Sequence, residues 1–110
     1  MIDYNRLVGF DWDAGNNRKN VDKHGVSEAE TEQIFFNDPW LVVDDAKPSH
    51  SEKRSHALGK TNSGRFLHIT FTLRAAGTRI RVISARDMHR KERVRYEQET
   101  KKVAKLSKRK

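Results

Sequence analysis

The stretch from Phe66 to Arg86 constrains the fold more than any other part of the chain. Phe66 to Arg74 alternates without a break: Leu67, Ile69, Phe71 and Leu73 fall on one side, His68, Thr70, Thr72 and Arg74 on the other. Successive side chains of a strand point to opposite faces, so this segment predicts a strand with one face in a core and one polar face. Ala75-Ala76-Gly77-Thr78 reads as a hairpin loop, and Arg79 to Arg86 as the returning strand. Along it, Ile80, Val82 and Ser84 are expected opposite Arg79, Arg81 and Ile83.

The rest of the chain supplies strands and helices around that hairpin. Leu7 to Trp12 is a further strand candidate. Asp13 is placed to cap a helix over Ala14 to His24, with Lys23 and His24 in its last turn and Gly25 in the left-handed conformation that closes it. Ser27 and Glu30 have capping-box spacing, and Thr31, Ile34 and Phe35 form the buried stripe of a second helix that ends by Pro39. Trp40 to Val43 is a short strand, and Ser51 to Lys60 a polar strand followed by a turn at Thr61-Asn62-Ser63-Gly64. Asp87 is expected to cap a final helix from Met88 to about Glu99. The order is a strand, two helices, a mostly antiparallel strand run and a helix, an α+β class.

Length and composition bound what such a fold can be. The chain has 110 residues, enough for one domain, here residues 1–99, with 100–110 expected as a frayed basic tail. Charged and hydrophobic residues are each 35% of the chain, so the core is thin. The absence of cysteine excludes a disulfide scaffold, a thiolate zinc site and thiol catalysis. No run approaches the ~20 apolar residues that span a bilayer, and no hydrophobic signal segment is seen, so a cytoplasmic protein without a membrane partner is expected.

Charge is distributed unevenly. The net charge is +8, and from Arg79 to Lys110 there are thirteen basic residues against four acidic ones. Residues 1–78 hold ten basic and eleven acidic residues. A one-sided basic field suits a polyanion such as nucleic acid. For the terminal lysines a solubilising tail is an equal alternative.

Candidate chemistry lies on the polar strand faces. Glu52, Arg54 and His56 are two apart and project together, offering a proton acceptor, a phosphate clamp and a titrating group. Alone, this pattern also describes a solvated edge strand whose charges block aggregation. His68 and Arg74 share the polar face of the alternating strand, and Arg79 and Arg81 share a face of the next. Arginines gathered together repel unless an anion is expected, and their fork matches phosphate oxygens. Cleaving RNA needs little else, because the ribose 2′-hydroxyl supplies the nucleophile. Neither a metal nor another cofactor is called for. Lys23 and His24 are a second candidate pair, although cations in a last helical turn also suit the macrodipole. Phe10, Trp12 and Tyr96 are expected to pack.

The same residues resemble a known family. Phe10-Asp11-Trp12-Asp13, Asn20 and Lys23-His24-Gly25-Val26-Ser27 are similar to the opening signature of the BrnT-type toxins. Phe36 with Asp38, Glu52-Lys53-Arg54, Gly59, Arg79 to Arg86, Arg90, Glu92-Arg93 and Tyr96-Glu97 continue it. The resemblance implies a RelE-like ribonuclease toxin that inhibits translation. It also implies a cognate BrnA-like antitoxin of ribbon-helix-helix type, through which alone the pair reaches operator DNA, and RNA as substrate, free or on the ribosome. By matching motif it marks Lys23, His24, Glu52, Arg54, Arg79, Arg81, Ser84 and Arg86. Position 28 lacks the usual aromatic, and the basic extension past Glu97 is longer than the pattern. A different class, a non-catalytic nucleic-acid-binding module or inactivated toxin acting as co-repressor, would share the basic surface. Glu52 favours the enzyme, since a binding surface gains nothing from a carboxylate among phosphate-binding arginines.

Overall fold

The computed structural model describes residues 9–12, 15, 21, 23–37, 40–44, 54–75 and 77–107. Ser27 opens helix α1 (Glu28–Phe36) as its spacing requires: its Oγ accepts from the Glu30 N–H, and the Glu30 carboxylate accepts from the Ser27 N–H. Thr31 and Ile34 are its buried residues, and Phe35 packs against the core. Before it, Gly15, Val21, Lys23 and His24 are helical, and Gly25 (φ 64°) donates its N–H to the Val21 carbonyl. Asp13 and most of the first expected helix lie outside the described residues.

Five strands form one mixed sheet in the order β1-β5-β4-β3-β2. They are β1 (Gly9–Phe10), β2 (Leu41–Asp44), β3 (Ser55–Lys60), β4 (Phe66–Arg74) and β5 (Arg79–Asp87). Only β1, beside β5, pairs in parallel. Helix α1 lies on the face carrying Ala57, Leu67, Ile69, Phe71, Ile80, Val82 and Ala85, all buried. Its closest approach fixes a residue type: a Cβ at Gly59 would come within 2.9 Å of Ile34 Cβ. Phe35 joins helix to sheet, edge-on to Phe71 and Phe10. Helix α2 (Arg90–Ser107) packs on the other face, where Tyr96 meets the Phe66 ring edge-on.

Three sequence expectations are corrected. The strand from Ser51 to Lys60 is not a solvated edge. It begins at Ser55, lies between β2 and β4, and buries Ser55, Ala57, Leu58 and Gly59; the short β1 and β2 form the edges. Next, the Phe71–Val82 and Thr70–Ser84 pairs differ by one in register, leaving Ile83 as an extra residue. This bulge reverses the alternation, so Ala85 instead of Ser84 follows Val82 into the core, and Ser84 and Arg86 join the face of Arg79 and Arg81. Finally, Asp87 does not cap the last helix. Its carboxylate takes both Nε and Nη2 of Arg65, at 2.7 and 3.1 Å. The His89 N–H instead donates to Glu92 at 2.8 Å, and α2 starts at Arg90, running to Ser107, past Glu99.

Candidate active site

Residues paired across antiparallel strands share a face, so the register arranges the polar face in rows. Leu58, His68 and Arg86 form one row; His56, Thr70 and Ser84 the next. Thr72 pairs with Arg81, and extending the β3 register by one residue brings Arg54 beside Thr72. Arg74 faces Arg79 at the hairpin end. Six residues of β4 separate the first row from the last, about 20 Å of strand. Arg54, Arg74, Arg79 and Arg81 thus share one end of the face, and His68 and Arg86 the other.

The two ends differ in what lies over them. Helix α2 brings Glu92 onto His68 and Arg86. Arg86 donates from Nη1 and Nη2 to the two Glu92 oxygens at 2.9 and 3.0 Å. His68 Nδ1 is 2.6 Å from Glu92 Oε2 and 2.6 Å from Arg86 Nη2, while its Nε2 is 2.9 Å from His56 Nδ1. The His56 nitrogen is also 3.1 Å from Thr70 Oγ1. Burial holds the His68 imidazole below its ordinary range, against the pull of Glu92 and with the help of Arg86. His68 Nδ1 thus stands between a carboxylate that can only accept and a guanidinium that can only donate. Burial pushes the Glu92 carboxyl up, but the Arg86 and His89 hydrogen bonds and the neighbouring charges outweigh it and hold the group at about 2.

At the other end, the Arg81 guanidinium lies 3.7 Å from the Asp11 carboxylate, just past β1, and Arg79 is exposed. Arg54 is partly exposed at the start of β3. Glu52 lies outside the described residues. Lys23 and His24 do not join this group. Lys23 is exposed, and the His24 carbonyl accepts from Arg65 Nη2 at 3.0 Å. The hydrogen bonds and then the charge of Arg65 hold the Asp87 carboxyl below the usual range despite its partial burial, with His24 nearby. The pair thus sits by the end of β5 that follows Arg86.

Two residues central to this geometry escape the sequence reading. Arg65 ties the Gly25 carbonyl, Glu30 and Asp87 together, and nothing in its loop context signals that role. Glu92 has a signal: it stands three residues after His89, the spacing of a residue that reaches back to cap its own helix. Among the described residues no group of three or more His, Cys, Asp or Glu side chains is arranged to hold a metal ion.

Residues 12–92 match the family model of the ribonuclease toxin BrnT of type II toxin–antitoxin systems. The chain belongs to the BrnT family. The matched span runs from Trp12 to Glu92 and so includes both ends of the sheet face. The 1.1 Å crystal structure of the Brucella abortus ribonuclease toxin BrnT shares the fold, with a TM-score of 0.53 and 21% identity over 76% of this chain and 100% of that one. No curated protein matches the chain. Membership in the BrnT family makes this a toxin of a type II pair and implies an antitoxin partner.

Proposed function

We propose that the chain is a metal-independent endoribonuclease with a RelE-like fold that cleaves RNA through the 2′-hydroxyl and thereby inhibits translation. The observation that carries this reading is the hairpin end of the sheet face, where Arg54, Arg74, Arg79 and Arg81 gather beside the half-buried His56. The arginines would grip the scissile phosphate and neutralise the charge that builds on it, an effect worth about a hundredfold or more per donor. Ser84 and Thr70 in the adjoining row offer hydroxyls to the sugar–phosphate backbone. Glu52 remains a candidate proton acceptor two residues before Arg54, and Lys23 and His24 remain the second pair of catalytic candidates.

A ribbon-helix-helix antitoxin would neutralise the toxin by covering the same face, and the complex would reach operator DNA through the antitoxin. The test is direct. Purified protein is incubated with labelled RNA in EDTA, with and without ribosomes, and the new ends are analysed. Fragments ending in 2′,3′-cyclic phosphate and beginning with 5′-hydroxyl are expected. Binding without cleavage in both arms would instead make the chain a nucleic-acid-binding co-repressor.

A further inference from the structure

We propose that the groove at the end of the sheet opposite the hairpin loop holds one unpaired base of the RNA, stacked on Phe36 and met at its edge by Asn37 and Asn62; this assignment rests on the ribonuclease reading above. The groove encloses about 400 Å³. Phe36 and Asn37 line it from the end of α1, Lys60, Thr61 and Asn62 from the end of β3 and its turn, and Tyr96 from α2. That volume falls in the range of small-ligand sites, and a single base is a ligand of that size.

Phe36 is the anomaly of α1. Its neighbour Phe35 packs on the core, whereas Phe36 is 76% exposed, the most exposed large apolar side chain among the described residues. An edge-on contact with Phe10, with centroids 6.3 Å apart, orients the ring without covering it. A ring held in place and left bare suits a base, because every base has a π face to stack.

The amide pair is oriented by a chain of bonds that starts at a backbone carbonyl. The Lys60 carbonyl can only accept, so the Asn37 side-chain atom 2.9 Å from it is Nδ2. The second hydrogen of that nitrogen goes to the Asn62 atom 2.9 Å away, which is therefore Oδ1. The Asn62 N–H donates to Gln33 Oε1 at 3.0 Å and fastens the turn to α1. Asn37 Oδ1, an acceptor, and Asn62 Nδ2, a donor, remain at the two ends of this chain. Both residues line the groove. Single-stranded RNA is read at the edges of unstacked bases, and each Watson–Crick edge presents a donor and an acceptor for such a pair.

Charge suits the same occupant. Lys60 is exposed, with its ammonium 5.6 Å from the centroid of the Phe66 ring, and Arg93 lies over that ring at 4.2 Å. Glu97 takes Arg93 Nε at 3.0 Å, so Lys60 is the cation of the groove best placed for the phosphate beside the stacked base. A protein segment fits less well, since Phe36 and the buried Tyr96 are the only rings in a lining that is otherwise polar or charged. Lys60 stands six residues after Arg54 on the same strand, about 20 Å along it. A base in the groove and a phosphate on the hairpin-end arginines thus belong to one strand of several nucleotides, and a short RNA seated on those arginines ends before the groove. The groove sets a sequence preference away from the cut and leaves the chemistry to the hairpin end.

The test uses the whole chain and a strand that binds without being cut. An oligonucleotide of roughly ten residues, within the span of single-stranded sites, carries hydrogen in place of each 2′-hydroxyl. Its affinity is measured by fluorescence anisotropy, intact and in a series in which each base in turn is removed while sugar and phosphate stay. One position should stand out, its loss weakening binding about tenfold, the scale of one base–aromatic stack. At matched folded concentration, Phe36→Leu should cost the intact strand the same factor and flatten that position, whereas Phe36→Trp should keep both. Asn62→Ala should narrow the differences among the four bases there; an undiminished preference overturns the edge contact. A wild type that cleaves RNA yet gives a flat series overturns the groove and leaves the ribonuclease reading standing. A wild type that neither binds the strand nor cuts RNA overturns both. Phe36→Leu with unchanged RNA affinity but lost antitoxin binding makes the groove a protein surface and also overturns the proposal.

Discussion

Arg81 and Arg86 lie on the same strand and, because of the bulge at Ile83, on the same face, yet they do different work. Arg86 sits under α2, with both terminal nitrogens on Glu92 and its side chain 25% exposed. Arg81, 28% exposed, lies 3.7 Å from an Asp11 carboxylate that is itself 42% exposed. Exposure of the arginine does not separate the two; the partner does. A bidentate carboxylate turns Arg86 into a strut between helix and sheet. The Asp11 pair of Arg81 is longer and lies at the solvent edge, and no helix is tied to the sheet through it. The polar face is one surface in the sequence pattern and two in the folded chain.

The largest expected effect is on chemistry at the hairpin end. Arg81→Ala should reduce RNA cleavage about a hundredfold or more, the scale of a lost transition-state donor, while stability changes by no more than about 0.5 kcal/mol. Initial rates at matched folded concentration and a denaturant titration check both halves of that statement. Arg86→Ala should reverse the pattern, destabilising the fold by about 2 kcal/mol because Glu92 and His68 lose a charged hydrogen-bonding partner. If Arg81→Ala proves the more destabilising variant, the division of the face is wrong.

Acid sharpens the same division. Glu92 is depressed from 4.5 to about 2, and His68 is lowered from 6.5. Both groups therefore contribute stability that is present above the ordinary value and lost as pH falls through the folded one. The melting temperature should decline below pH 6.5 and then more steeply between about 4.5 and 2. Glu92→Gln should remove part of the steeper decline; Glu30 and Asp87, both lowered chiefly by hydrogen bonds from the Ser27 backbone and from Arg65 respectively, supply the remainder. A thermal melt series across that range decides it, and an unchanged profile in Glu92→Gln would count against the clasp.

The smallest effect lies in the hairpin loop beyond Arg74. Ala75 holds φ 53°, a left-handed conformation that strains any residue with a Cβ. Ala75→Gly should stabilise the chain by roughly 0.5–1 kcal/mol, after allowing for the greater freedom of glycine when unfolded. It should leave the His68–Arg86 end unaffected by amide exchange, since that row is some 20 Å along the strand.

Local pattern made much of this fold legible, and tertiary partners decided the rest. The bounds of β4, the Ser27–Glu30 box, the turn at Gly64 and the closing role of Gly25 depend on nearest neighbours and could be read directly. The bulge leaves only a faint mark, two apolar residues in succession at Val82-Ile83, and it takes the pairing with Thr70 and Phe71 to show Ile83 to be extra. Asp87 departs from its local pattern for a similar reason: a carboxylate before a helix looks like a cap until Arg65, more than twenty residues earlier, claims it. Among the candidate site residues, Arg54, Arg79 and Arg81 share one end as the spacing implied. Arg86 and His68 share their face but are tied beneath α2, a contact that depends on where Glu92 lands.

Titrating the ¹⁵N-labelled chain with a short RNA whose 2′-hydroxyls are replaced by hydrogen tests the two-ended face most directly, since the ligand binds without being cut. Shifts should concentrate on Arg54, Thr72, Arg79 and Arg81, with His56 following, while Arg86, His89 and the first turns of α2 stay still. Shifts centred instead on Glu92, Tyr96 and Arg86, with the Arg79–Arg81 segment unmoved, would contradict the account.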